Sequence, residues 1–320
     1  MAAPTNALTT LTNIGNREDL EDEIYRVVPE ETPFTNNVGR VKASAVTHEW
    51  QTESLRAASA TSSIALEGGD STATAANLTT RLGNYCQINL DRGSVSGTAE
   101  VVDKAGRSSE ITRQKIMKGL ECKRDFELRA IGNNFPAVAE SGATTRKMAG
   151  ILCFLASNDS RGAGGSDGVA AGGIYTTAAV NGTQRTFTET LLKASLSSCF
   201  SSGGKPSQAY MGPTHKQQFS AFTGIASIRK DVKGDSMGTI IGAADVYVSD
   251  FGNLTLIPHA YGLTRDCLLL SPDFAAIGTL RGWTTEAVAK TGDSENFQVL
   301  AEKTVVVRNQ AAHGVIADLT

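Results

Sequence analysis

Little in this sequence invites a catalytic, metal-bound or membrane-spanning reading. It holds no run of 18 apolar residues, so no membrane-spanning helix is expected. The start, Met1-Ala-Ala-Pro-Thr-Asn6, has neither the charged nor the apolar region of a signal peptide. A soluble chain, made and kept in a cytoplasm, is the expectation. The five cysteines (Cys86, Cys122, Cys153, Cys199, Cys267) form no Cys-x-x-Cys pair and are expected as buried, reduced thiols. The four histidines are scattered and no His-Glu-x-x-His occurs, so no metal or cofactor is expected. Charge of one sign is also lacking, with 30 Lys+Arg against 33 Asp+Glu. That balance excludes a dedicated nucleic-acid binder, whose affinity rests on a basic excess.

Small residues are what the chain has in abundance. Its 320 residues include 40 alanines and 32 glycines, a composition suited to thin layers, extended strands and flat contacts. Residues 1–15 read as a flexible arm. Asn16 then offers an N-cap, acids Glu18 to Glu23 favour a helix start, and Leu20, Ile24, Val27 and Val28 make one stripe before Pro29. A short amphipathic helix is predicted there, its stripe buried within the subunit or on a neighbour.

Residues 40–55 and 79–92 are predicted strands. Between them, 56–78 is mostly Ala, Ser and Thr, with only Arg56, Glu67 and Asp70 charged. A patternless stretch of that length between strands reads as a hairpin-like excursion that needs a partner surface. The longest helix is predicted over 109–131, capped by Ser108 or Ser109, ended at Gly132 and roughly 35 Å long. Its expected packed stripe is Ile116, Met117, Leu120, Leu128 and Ile131, with Ile111 and Phe126 off it. The opposite side carries Arg113, Lys118, Lys123 and Arg124 among others, facing solvent or a charged polymer. Six glycines in 161–173 mark a flexible loop. Helices are expected near 187–199 and 214–223, and strands near 245–249, 253–258, 267–270, 274–279, 284–289 and 295–308.

Two motifs touch on chemistry. Gly164-Gly-Ser166-Asp-Gly168 has the nucleophile-elbow pattern, with His215, His259 or His313 as a possible base. The preceding Ser157-Asn-Asp-Ser-Arg-Gly is no core strand and glycines follow, so a loop is the better reading. Gly203-Gly-Lys205-Pro206 lacks the spacing and hydroxyl of a phosphate loop.

The ordered series of short motifs is more informative. It runs through Asn16-Arg-Glu-Asp-Leu-Glu-Asp-Glu-Ile24, Thr32-Pro-Phe34, Glu49-Trp50-Gln51-Thr52-Glu53, Arg81-Leu-Gly-Asn84-Tyr85-Cys-Gln87-Ile88 and Val95-Ser-Gly97-Thr-Ala. It continues with Ala105-Gly-Arg107, Asp250-Phe-Gly252-Asn-Leu-Thr-Leu-Ile-Pro258 and Gly292-Asp-Ser294. In order and spacing, from about 16 to 316, the chain resembles tailed-bacteriophage major capsid proteins of the Hong Kong 97-like fold.

That resemblance implies an α+β chain with an N-terminal arm (1–40), an extended β-hairpin loop (41–90), a peripheral domain with a long spine helix (91–136 and 273–320) and an axial domain (137–272). It implies a non-enzymatic shell subunit that forms the pentamers and hexamers of an icosahedral head around double-stranded DNA. Itself, a portal, and scaffolding or decoration proteins would be its partners, with weak, non-specific contact to the genome and no membrane. Location would be the virion, after assembly in the host cytoplasm. Trp50, Arg56, Glu67 and Asp70 are candidate inter-subunit contacts, and Arg113, Lys118, Lys123 and Arg124 candidate genome-facing residues. No long scaffolding segment precedes Asn16, so scaffolding is expected to be a separate protein, unneeded or already removed, and no Lys–Asn–Glu cross-linking set is matched. The alternatives are the shell of an encapsulin-like nanocompartment, a serine hydrolase using Ser166, and a surface adhesin, which lacks an export signal.

Overall fold

The structure, a computed structural model, describes residues 24–62, 64, 66–69, 76–222, 246–290 and 292–320. In chain order its elements are α1 (Pro33–Asn37), β1 (Gly39–Lys42), β2 (Thr47–Thr52), β3 (Thr80–Tyr85), β4 (Gln87–Ser96), α2 (Gly97–Val101) and α3 (Glu110–Ile131). There follow β5 (Asp159–Ser160), β6 (Val169–Ala171), β7 (Ile174–Thr177), α4 (Glu189–Ser201), β8 (Gln208–Met211) and α5 (Pro213–Ser220). The chain ends with β9 (Val246–Ser249), β10 (Gly252–Pro258), β11 (Cys267–Leu270), β12 (Ala275–Val288), β13 (Ser294–Val307) and β14 (Gly314–Ile316).

Three sheets carry the architecture, ordered β1-β12-β13-β4, β5-β14-β11-β8-β10-β9 and β2-β3-β7-β6. In the first, odd-numbered residues of β13 face α3: Phe297 lies under Lys115, and Lys303 stacks on Phe126. The second is buried on both sides at its centre, which is why β11 is the unbroken apolar run Cys267-Leu-Leu-Leu270. Leu268 and Leu270 enter a core with Phe34, Phe126, Met148, Phe154 and Val305, while Cys267 and Leu269 enter a second core with Leu192, Leu196, Phe219 and Leu256. All five cysteines are free and buried.

Several expectations need correction. Residues 24–28, the end of the helix predicted after Asn16, are not helical, and Ile24, Tyr25, Val27 and Val28 are exposed. A helix that short is marginal without a surface for its stripe; its remainder lies outside the described residues. α3 begins as predicted at the Ser109 cap, whose hydroxyl accepts from Thr112 N at 3.2 Å. Its buried face, however, is Cys122, Phe126, Glu127, Ala130 and Ile131, while Ile116 and Leu128 are exposed. Phe126 outweighs the smaller stripe because it fills the space between β13 and the Ile151–Phe154 turn.

The strands expected at 274–279 and 284–289 are one strand, β12, whose register slips around Arg281. Glycine-rich 161–173 is not a free connection but a packed one. Gly173, at φ 86°, sits so close to the Arg81 carbonyl that a Cβ would collide, and its own carbonyl accepts from Gly83 N at 2.9 Å. Residues 310–320, expected with the peripheral strands, instead cross into the six-stranded sheet through β14. Val315 and Ile316 find an apolar slot on each face of that sheet.

Candidate assembly surface

The expected excursion is a true hairpin, with β2 and β3 paired antiparallel from Thr47↔Tyr85 to Thr52↔Thr80. Beyond that last pair, the apolar side chains have no cover among the described residues. Leu55, Ile64, Leu66 and Leu78 are all at least three-quarters exposed. Arg56 and Glu67 are exposed as well, while Asp70 lies outside the described residues. Trp50 has a different place: half-buried on β2, opposite Leu82, it packs 6.0 Å from the Phe154 ring and belongs to the subunit's own core.

The hairpin's base is fixed by a residue that sequence reasoning quoted but gave no role. Asn84 is fully buried, and its amide donates to Ala149 O at 3.0 Å and Val305 O at 2.9 Å. Its Oδ1 accepts from Ala149 N at 2.8 Å and Tyr85 N at 3.0 Å. Every hydrogen-bonding group of that side chain is therefore used. It rivets the hairpin to β13 and to the chain entering the Ile151–Phe154 turn. Its sequence signal was a polar residue on the same strand face as Leu82.

A charged chain braces the same region. Arg146 reaches Cys86 O at 2.6 Å, Glu140 at 3.0 Å and the buried Glu302 at 3.4 Å, and Arg281 closes on the other side of Glu302. The Cys86 thiol is pushed up to about 11 by burial.

The N-terminal arm has its own anchor. Glu127, buried on α3, accepts from Phe34 N at 2.7 Å, Thr35 N at 2.9 Å and the Thr35 hydroxyl. His259 Nε2 is 3.2 Å from the same carboxylate, and its Nδ1 contacts the Tyr261 carbonyl. Tyr261 OH in turn donates to Glu31 O at 2.8 Å. The sequence signal for Glu127 was its position between Phe126 and Ala130, on a face that packing claims.

The four candidate genome-facing residues lie along α3 in different settings. Arg113 pairs with Glu110 at 3.1 Å. Lys118 is held between Glu121 at 2.8 Å and Asp91 at 3.1 Å, whose hydrogen bonds push its ammonium up to about 12. Arg124 lies over the Tyr261 ring at 5.7 Å. Lys123 is exposed, with no ion pair among the described residues.

Nothing assembles around Ser166. It is exposed, its backbone pairs with Val180, and no hydrogen bond links its hydroxyl to a histidine among the described residues. His215, His259 and His313 are each buried elsewhere. Among the described residues no His/Cys/Asp/Glu cluster is arranged to hold a metal, and no helix is long and apolar enough to cross a membrane.

A hairpin with unburied leucines, a spine helix and a two-sided sheet are parts of a subunit made to be joined. The family model described as SU10 major capsid protein matches residues 3–320. The chain belongs to this family. Among curated proteins none matches in sequence. Solved structures agree in fold with the SU10 capsid family assignment. The chain is similar to one in the Cyanophage A-1(L) capsid asymmetric unit, with a TM-score of 0.72 and 13% identity over 98% of this chain and 100% of that one. It is similar to a chain of Mycobacterium phage Bobi, with a TM-score of 0.60 and 13% identity over 95% and 96%. It also resembles a chain in the capsid of a native GTA particle, with a TM-score of 0.59 and 12% identity over 99% and 100%. The fold is the α+β, Hong Kong 97-like capsid fold, and the protein is a structural major capsid protein of phage type; the nanocompartment reading is not favoured.

Proposed function

We propose that this major capsid protein closes into the pentamers and hexamers of an icosahedral phage head around double-stranded DNA, assembled in the host cytoplasm, without catalytic activity. The observation that carries the reading is the hairpin beyond Thr52↔Thr80, whose exposed Leu55, Ile64, Leu66 and Leu78 have no covering surface among the described residues. In a family of capsid proteins that surface belongs to a neighbouring copy, with Arg56, Glu67 and Asp70 pairing at its margin and Trp50 stiffening the hairpin from inside. The N-terminal arm (1–40), extended loop (41–90), peripheral part around α3, β12 and β13, and axial part around the six-stranded sheet serve as the working divisions.

Genome contact in this reading is weak and non-specific. Lys123 and Arg124 are its main carriers, because Arg113 and Lys118 already have acidic partners. A portal and scaffolding or decoration proteins complete the head; one of the similar structures is described as Phage G gp27 major capsid proteins and gp26 decoration proteins. Electron microscopy of the purified chain, alone and co-expressed with its neighbouring head proteins, tests the proposal. Closed icosahedral particles are expected, and a compact monomer under every condition would overturn it.

A further inference from the structure

From Phe297 onward, the side of β13 that faces α3 carries apolar residues, with Lys303 as the exception. Lys303 is registered with Thr279 of β12, and Thr279 with Lys42 of β1; Val305 is likewise registered with Ile277, and Ile277 with Arg40. Registered neighbours share a face of the sheet, so Arg40, Lys42 and Lys303 stand together on the α3 side. Lys123 joins them from the helix, and its charge and that of Arg40 both act on the Lys303 ammonium.

Lys303 is the fixed member of this group. Its half-buried ammonium lies 5.8 Å from the centre of the Phe126 ring and 5.0 Å from that of Trp283, which sits within the register slip of β12. No hydrogen-bond acceptor meets it among the described residues. Burial, and after it Arg40 and Lys123, lower its pKa; an anion beside it would favour the charged form again. Arg40, Lys42 and Lys123 are exposed.

No acid answers these charges. Arg40, Lys42, Lys123 and Lys303 form no ion pair among the described residues. Glu302, beside Lys303 in sequence, points to the other face, where Arg146 and Arg281 take it. Glu127, one turn along α3 from Lys123, is buried and taken by Phe34, Thr35 and His259. Glu121 and Asp125 lie two residues to either side of Lys123, about 200° away around the helix. Asp91, further along the same sheet face, is paired with Lys118.

We propose that Arg40, Lys42, Lys123 and Lys303 form a phosphate-binding patch for the backbone of double-stranded DNA. A carboxylate side chain brings a single charge to such a site. A duplex presents one for about every 1.7 Å of its axis, so several phosphates can meet these cations at once. Contacts to phosphate alone read no bases, so the binding is independent of sequence. The choice of DNA as the polyanion rests on the phage-head reading; the charge of the patch does not.

Fluorescence anisotropy of short labelled duplexes with the full-length protein, over a salt series, tests it. Two duplexes of unrelated sequence should bind equally, with log K falling against log salt at a slope of about −3.6 for four phosphate contacts. Lys123→Gln and Arg40→Gln, both at exposed positions, should each reduce that slope by about 0.9. Lys193→Gln removes the same charge from α4, where Lys193 pairs with Glu189, and should leave the slope unchanged. A slope unchanged in Lys123→Gln and Arg40→Gln, or reduced equally in Lys193→Gln, would overturn the patch. Inorganic tripolyphosphate should compete with the duplex; binding of tripolyphosphate without any binding of duplex would overturn DNA as the source of the phosphate. If the same substitutions abolish self-association in ultracentrifugation and leave DNA binding intact, the patch belongs to an acidic segment of a second copy and the proposal falls. Electron microscopy of the same preparations keeps the two readings apart. Closed shells with unaltered slopes overturn this inference alone, and the expected slopes without shells under any condition overturn the head reading alone.

Discussion

Glu127 Oε1 accepts the backbone N–H of Phe34 at 2.7 Å, from a carboxylate with no exposure to water. This contact joins the start of α1 to the C-terminal part of α3 across 93 residues of sequence. Glu127→Ala removes the acceptor for two backbone donors and a hydroxyl at once. A loss of about 3 kcal/mol in urea unfolding is expected, in the range for breaking a buried charged contact. Proteolytic release of the arm should accompany it. Unchanged stability would mean that the arm anchors elsewhere.

Asn84 distinguishes donor from acceptor. Its amide nitrogen faces two carbonyls, Ala149 O and Val305 O. Asn84→Ala should cost about 2–4 kcal/mol through lost and unsatisfied bonds. Asn84→Asp should cost more, although it is nearly isosteric, because it sets a carboxylate against those carbonyls. Thermal melts that rank Ala below Asp would refute this account.

Asp266 gives stability a pH dependence of unusual sign. It is buried, and burial, together with the Asp318 carboxylate and against a hydrogen bond from the Asp318 backbone, pushes it up to about 6. A folded value above the unfolded one favours the protonated form. Its contribution is then complete below about pH 4 and falls away as pH rises through about 6. Asp266→Asn should stabilise the subunit by up to about 3 kcal/mol at pH 8 and have little effect near pH 4. Denaturant midpoints of both proteins across that range provide the measurement.

His313 works in the opposite direction. Burial drives its imidazole down to about 4, and Nδ1 accepts from Ser271 N at 3.2 Å. Stability from the neutral ring is present above pH 6.5 and is lost as pH falls toward 4. His313→Asn should therefore lower stability at pH 7 while flattening the slope between pH 6.5 and 4. A slope as steep as that of the unaltered protein would exclude His313 as its source.

Replacing residues 56–78 by a short Gly/Ser turn should spare the fold and abolish closure. The described residues of that segment are exposed and the hairpin below is held by Asn84. The shortened protein should melt cooperatively within about 1 kcal/mol of the original, since little buried surface is removed. Its particles should be absent by negative-stain microscopy. Normal shells would reduce the excursion to a tolerated loop.

Local patterns gave the sequence reading most of its strands and helices. The apolar run at Cys267–Leu270 and the Ser109 cap each have a local cause and lie where expected, whereas the single strand expected over 40–55 is two, Gly39–Lys42 and Thr47–Thr52, in different sheets. What escaped depended on distant partners. Phe126 and Glu127 are buried because β13, Phe34 and His259 meet them, which helical spacing does not encode. The glycine-rich loop looked free because its restraint, Asp318 receiving Gly162 N and Gly182 N, comes from more than 130 residues away. For the assembly surface, Arg56 and Glu67 were visible as charges in a bare segment, whereas Trp50 was drawn inward by Phe154.

The position of β14 also bears on synthesis. Its three residues, Gly314–Ile316, lie between β5 and β11, in a sheet whose other strands all leave the ribosome earlier. Until they emerge, β5 and β11 face each other across a gap with their backbone groups unpaired. The six-stranded sheet thus completes itself only after all its other strands have emerged. A chain that stops short of Gly314 carries an open seam between β5 and β11, a template for pairing with another chain.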